Sequence, residues 1–480
     1  MKKLQKLPIG NSSFEIIRQN NQLYVDKTRY IYKMIDEGIY YFLSRPRRFG
    51  KSLLVSILNC LFQGKKELFK DLWIADKWEW KEYPVILIDF NEIPHQNPEI
   101  FKQSLSMTLK QTAQNYNVSI ESDFVEIQFK ELILSLSKKF ELPVAVLVDE
   151  YDKPIISHLG KGKDGLEIAA QNRDIMKYFF GILKGVNIVP FLRFVFLTGV
   201  SKFSRVSIFS ELNNLNDISM NRYYAEMLGY TQSELETCFR GYVKKFAKEY
   251  NLPQKHIIQE LKRHYNGYRF SEKDIKVYNP FSVLKSLYEQ AFKHYWFETG
   301  TPTFLINLLK GNNWYLPKIE DMNAVESIFS MYDLDDLKPE ALLFQTGYVT
   351  IKNVRGRLYG FGYPNQEVKI AFLETLLHSY TKGISDRSRF VLLAEYLLAE
   401  DMDAFIETMK AIFASIPYSI ESKRDEAYFH TIFYLMVCAS GVNANSEVLT
   451  CDGRIDLAME FPDKAYIIEF KCNQSADVAL

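Results

Sequence analysis

The sequence predicts an α/β protein built on a parallel sheet with helices on both faces, and three observations carry that expectation. Short, fully apolar runs at residues 39–43, 85–90, 144–148 and 194–198 alternate with helical patterns across residues 39–230. Runs of that kind suit strands buried on both faces and joined by crossover helices. The first run leads through a loop into Gly50-Lys51-Ser52, and the third ends on Asp149-Glu150. With 480 residues the chain exceeds one ordinary core, so two or three domains are expected.

Composition narrows the function classes. Hydrophobic residues make up 47% of the chain and charged residues 25%, and the 30 Tyr and 35 Phe imply packed cores rather than long disordered segments. The 59 basic and 59 acidic residues cancel, so nucleic-acid binding would need a local patch, not a global field. The five cysteines (Cys60, Cys238, Cys438, Cys451, Cys472) form no CxxC, which speaks against a disulfide framework or zinc ribbon. The N-terminus MKKLQKLPIG lacks an apolar stretch behind its charges, and no run reaches the roughly 18 apolar residues of a membrane span. A cytoplasmic protein without membrane association is expected.

Further along, a weaker fifth strand is expected at 224–229, followed by Thr231-Gln232-Ser233-Glu234, a capping box that opens a helix. The pattern then turns mainly helical to residue 380, apart from 265–270 and a hairpin-like 348–363 with glycines at 356, 360 and 362. A helical or winged-helix unit fits. The last stretch reads as helices over 389–415, a helix at 425–438 and strands at 447–450, 454–460 and 465–471. The expected domains are therefore 1–230, 231–380 and 381–480.

Residues 39–62 read strand–loop–helix, the context a phosphate loop requires. Backbone N–H groups at the helix start wrap phosphates, Lys51 reaches the β/γ oxygens and the Ser52 hydroxyl ligates Mg²⁺. The loop residues Arg45, Arg48, Phe49 and Gly50 are expected to bind ATP with them, although Arg45 stands where the full GxxxxGK[ST] motif has its first Gly. An isolated GKS is compatible with an ordinary surface loop, and acidic residues often follow strands. The two elements in order, each on the right secondary structure, are far more specific. Asp149 would hold the metal and Glu150 would polarise the attacking water. Thr198 or Ser201, ending the 194–198 strand, could sense the γ-phosphate. Arg47, Arg48 and Arg205 are the arginines available to offset transition-state charge, against their commoner role as solvated charge.

Several stretches resemble the bacterial AAA-ATPase-like family: Tyr24-Val25-Asp26-Lys27-Thr28, Arg45 through Ser52, Val148-Asp149-Glu150-Tyr151-Asp152, Leu197 through Ser201, Tyr265-Asn266-Gly267-Tyr268 and Tyr278 through Ser282. The resemblance spans nearly the whole chain, and its most specific motif is the RPRRFGKS loop. It implies a relative of the signal-transducing STAND branch of P-loop ATPases, with a C-terminal PD-(D/E)XK nuclease-like domain acting on DNA or RNA. The substitution of Arg45 for Gly belongs to the family habit.

Gly453-Arg454-Ile455-Asp456 and Ile468-Glu469-Phe470-Lys471 match the D…ExK signature of that superfamily. Glu469 and Lys471 lie two apart on a strand and so share a face. Reversal at Pro462-Asp463 would set Asp456 opposite Glu469, where two carboxylates and an ammonium could hold a divalent metal and activate water. Glu426 on the preceding helix fits the superfamily's helical acid and metal ligand, and His430 one turn on shares its face. A half-exposed hairpin with a cross-strand salt bridge would show the same residues. Only residues 472–480 follow the ExK strand, so this domain is expected to be incomplete. Two functions stay open: an ATPase coupled to a metal-dependent nuclease, or an ATP-driven switch whose C-terminal domain binds without cleaving. A small-molecule kinase fits less well, because an Asp149-Glu150 pair suits activation of water. Homo-oligomerisation is compatible with either.

Overall fold

The computed structural model describes residues 4–202, 212, 214–296, 305–306, 319–320, 322–330, 338–380, 387–414, 426–440, 442–449, 454–461 and 463–470. Five parallel strands form the first sheet: β1 (Tyr40–Ser44), β2 (Val85–Asp89), β3 (Val144–Asp149), β4 (Leu192–Gly199) and β5 (Asn216–Asp217), in the order β2-β3-β4-β1-β5. The apolar runs explain the arrangement, because successive residues point to opposite faces and both faces are covered. On β4, Phe194 and Phe196 pack into one core with Tyr41, Leu43 and the helix Lys51–Phe62. Val195 and Leu197 pack into the other with Phe101, Phe129 and Phe179 from the helices Pro98–Asn115, Val125–Phe140 and Gly162–Gly181.

That division positions the site. The helix after β1 lies on one face, whereas those after β2 and β3 lie on the other, so their loops diverge and leave a crevice beyond the carboxyl ends of the strands. Register puts Leu43 beside Thr198 and Asp89 beside Asp149 at that edge.

The fifth strand is a correction. Residues 224–229 form turns and bends, and the sheet is instead extended by the two-residue β5, which pairs Asn216 and Asp217 with Tyr41 and Phe42. Tyr224, Met227 and Leu228 are buried from a loop.

The capping box forms as the sequence predicts: the Thr231 side chain accepts the Glu234 N–H, and Glu234 answers at the Thr231 N–H. Further on, β6 (Tyr268–Arg269) pairs with β7 (Lys276–Val277). A three-stranded sheet follows, made of β8 (Asn323–Val325), β9 (Thr350–Arg355) and β10 (Leu358–Gly362), with helices Pro339–Thr346 and Gln366–Tyr380. Nearer the C-terminus, helix Glu426–Ala439 precedes an antiparallel sheet of β11 (Asn443–Leu449), β12 (Arg454–Glu460) and β13 (Ala465–Ile468). No described helix is long and apolar enough to cross a membrane.

Candidate functional site

Gly50 caps the helix Lys51–Phe62 with φ of 94°, a left-handed conformation that favours glycine and turns the chain sharply from loop into helix. Orphan N–H groups of the first helical turn therefore face the crevice. The Lys51 ammonium is buried, donates to the carbonyls of Arg45 (3.1 Å) and Pro46 (3.4 Å), and lies 3.7 Å from Glu150 Oε1. Lys51, Ser52, Glu150, Arg47 and Arg48 line one cleft of about 400 Å³ with Asn91 and Lys153. The Arg48 guanidinium stacks 4.9 Å over the Phe281 ring.

Behind them, Asp149 ends β3 almost fully buried. Burial pushes its carboxyl up to about 6, against a hydrogen bond from Ser52 that favours the ionised form, while the Glu150 charge adds to the rise. A hydroxyl and a carboxylate form an all-oxygen donor pair of the kind a hard divalent cation takes, so Ser52 and Asp149 fit Mg²⁺. Among the described residues no group of three or more His, Cys, Asp or Glu side chains is placed to hold a metal. Glu150 adopts a left-handed φ of 50°, an unfavourable conformation for a non-glycine residue.

Asp152 sits below. Its Oδ2 accepts N–H bonds from Val200 (3.0 Å) and Ser201 (2.6 Å), fastening the tail of β4 to the end of β3. Gly199 makes room, since a Cβ there would lie 2.4 Å from Asp152 Oδ1. Burial first, then the charge of Glu150, raises the Asp152 carboxyl to about 7.

Both acids hold their protons more tightly folded than unfolded, where an aspartate titrates near 4. Their contribution to stability is fully present below that value and is lost as pH rises through about 6 to 7. Asp149→Asn should therefore unfold at higher urea than wild type at pH 8, by on the order of 2–3 kcal/mol, with the gain falling to about half at pH 5. A urea titration at the two pH values checks it; an equal effect at both would remove Asp149 as the titrating group.

Not every expected residue reaches the cleft. Arg45 is 2% exposed and lies beneath the loop, its Nη1 donating to the carbonyls of Ser44 and Ser219. Its place at the end of β1 aims it away from the cleft, so it does not line it. Phe49 is buried against Tyr268 and Phe270. Thr198 spends its hydroxyl on the Leu43 carbonyl at 2.7 Å, a sheet-internal bond, and Ser201 is buried. Arg205 lies outside the described residues.

The sequence reading missed the far wall, made by Pro8, Gly10, Asn11, Ser12, Tyr230 and Pro280. Lys27 fixes it, pairing with Glu234 at 2.6 Å and donating to the Glu226 carbonyl at 2.8 Å. Beside the cleft, Pro8, Tyr24, Leu53, Leu54, Tyr230 and Pro280 line a smaller, mostly apolar cavity of about 70 Å³.

In the C-terminal sheet the register Leu457↔Ile468 sets Asp456 and Glu469 opposite one another at the end of the ladder. Asp456 Oδ2 accepts the Phe470 N–H at 2.9 Å, and Glu469 Oε1 approaches the Asp456 N–H at 3.4 Å. Asp456 is 8% exposed and Glu469 is half-buried. His430 is buried with its ring stacked 4.8 Å from that of Phe470, packing rather than reaching out. Glu426 opens the helix Glu426–Ala439, but its side chain, like Lys471, lies outside the described residues.

A strand–loop–helix with GKS at the carboxyl edge of a parallel sheet, beside a strand ending in paired acids, defines a phosphate-loop α/β fold. Residues 8–209 match the AAA-ATPase-like family, described as "Predicted AAA-ATPase", and residues 424–479 match the PD-(D/E)XK nuclease superfamily. A protein of Azotobacter chroococcum mcd 1, described as "Uncharacterized protein in vnfD 5'region", is 36% identical over 479 residues, covering 97% of this chain and 89% of that protein. The chain belongs to the AAA-ATPase-like family and carries a nuclease-superfamily domain at its C-terminal end.

Proposed function

We propose that the chain binds and hydrolyses ATP and couples that cycle to a metal-dependent nuclease domain acting on nucleic acid. The convergence of Lys51, Ser52 and Glu150 at one cleft, with buried Asp149 hydrogen-bonded to Ser52 behind them, carries the reading. The phosphates would sit on the N–H groups after Gly50, and the base would enter the adjoining apolar cavity between Pro8, Leu54 and Tyr230. Lys51, now held by loop carbonyls, would exchange them for β/γ oxygens. Ser52 and Asp149 would hold Mg²⁺, which supplies Lewis-acid neutralisation of phosphoryl charge. Glu150, at the cleft wall, would orient a water and take its proton. Arg47 and Arg48 are the cations placed to offset charge developing on the phosphates.

Two contacts support the coupling. Trp296 Nε1 donates to the Arg47 carbonyl at 3.0 Å, and the Lys202 N–H donates to Gln345 Oε1 at 2.9 Å. Residues C-terminal to the sheet thus grip the phosphate loop and the tail of β4, so rearrangement of either would be felt beyond the cleft. The same contacts support the second reading, an ATP-driven switch whose C-terminal domain binds without cutting.

Lys51→Ala tests the nucleotide site: calorimetric titration with Mg·ATP should show affinity lowered at least about 100-fold, the loss of a buried charge-assisted contact. Unchanged affinity would place the nucleotide elsewhere.

A further inference from the structure

Beneath the phosphate loop, on the side away from the cleft, three buried donors lack acceptors among the described residues. Arg45 uses Nη1 on the Ser44 and Ser219 carbonyls, but its Nε and Nη2 have none. Gln345, 6% exposed, accepts the Lys202 N–H through Oε1, which fixes the other amide atom as Nε2, and that donor too has no acceptor. Arg45 and Gln345 line the same cavity of about 30 Å³, walled also by Lys202, Asp217, Phe270 and Phe344.

Among the described residues the charges do not balance there. Lys202 and Arg45 are two cations beside Asp217, which is ion-paired with Lys202 and already accepts the Ser219 N–H. The Phe270 ring covers the Arg45 guanidinium at 4.2 Å. Burial pulls the Arg45 guanidinium down to about 9, with Asp217 only partly opposing it. A buried cation whose counter-charge is shared with a second cation is costly.

We propose that this cavity binds a small monovalent anion, chloride in the cell, held by Arg45 Nε and Nη2 and Gln345 Nε2. A water offers two lone pairs but brings two protons that need acceptors, and Asp217, the carboxylate among the described lining residues, is engaged. A halide accepts from all three donors and restores neutrality. The volume exceeds the roughly 10–15 Å³ one water requires and suits a single halide, not a phosphate. The bound ion would bridge the root of the phosphate loop to the helix Pro339–Thr346.

The test uses the full chain with sodium chloride or bromide replacing sodium gluconate at fixed ionic strength. Thermal unfolding should show a saturable rise of about 2–5 °C with halide. The rise should persist in Lys51→Ala, which separates it from halide in the phosphate cleft. It should need about tenfold more halide in Gln345→Leu, which lacks one donor, and vanish in Arg45→Met. Crystals in bromide should show an anomalous peak between Arg45 and Gln345, a readout that holds even where a variant fails to fold. No halide-specific rise in the wild type, or water alone in the cavity with bromide elsewhere, overturns the proposal.

Discussion

Glu150→Gln is expected to bind Mg·ATP with wild-type affinity or better and to hydrolyse it at least about 100-fold more slowly, the usual contribution of a general base. Glutamine keeps the shape at position 150 while removing the negative charge that would polarise water. In the wild type that charge also lies 3.7 Å from Lys51, an attraction that incoming phosphates must replace. Removing it frees Lys51 for the nucleotide, so affinity should not fall. Single-turnover hydrolysis beside a binding titration separates the effects, since loss of rate with retained binding marks an interaction made in the transition state. Wild-type turnover would shift the base to Asp152. The geometry argues against that outcome, because Asp152 Oδ2 is committed to the Val200 and Ser201 N–H groups.

The parts of the fold legible in the sequence were those written in local pattern. The four long strands appear as apolar runs because both faces of the sheet are covered, Leu87 on the edge strand β2 being exposed, and the Thr231 cap appears because four consecutive residues encode it. β5 was not legible: Asn216 and Asp217 are polar, and their pairing is dictated by the free edge of β1. The apolar 224–229 run is buried without being a strand. In the cleft, Lys51, Ser52 and Glu150 were readable from motif and order, while Pro8 and Tyr230 were not, since tertiary contacts such as the Lys27–Glu234 pair and the shared packing of Leu7, Val25 and Leu235 bring those distant segments together. Arg45 was read by analogy with a glycine that touches phosphate, but an arginine at that point has the length to reach under the loop to Ser219. The opposition of Asp456 and Glu469 was readable because register in a tight hairpin follows from counting outward from its turn, here closed by the Phe461 N–H to Lys464 carbonyl bond.

That opposition leads to the other large effect. Asp456→Asn is expected to abolish divalent-metal-dependent cleavage of supercoiled plasmid, a loss of at least about 1,000-fold, while ATP hydrolysis and the unfolding midpoint stay near wild type. An asparagine can still accept the Phe470 N–H through its side-chain oxygen, so the hairpin contact at 2.9 Å survives. What disappears is half of an acidic pair, Asp456 with Glu469, whose all-oxygen donors suit Mg²⁺ or Mn²⁺. Glu469→Gln should act in the same direction, because two carboxylates on one end of the ladder would share one ion. Cleavage is to be measured with each metal, with chelator, and with and without ATP. Equal cleavage by Asp456→Asn and wild type would show the nuclease lies outside this pair or in a contaminant. Absence of cleavage by the wild type under all of these conditions, with ATP hydrolysis intact, would establish the switch reading, in which the C-terminal sheet binds and the phosphate loop signals.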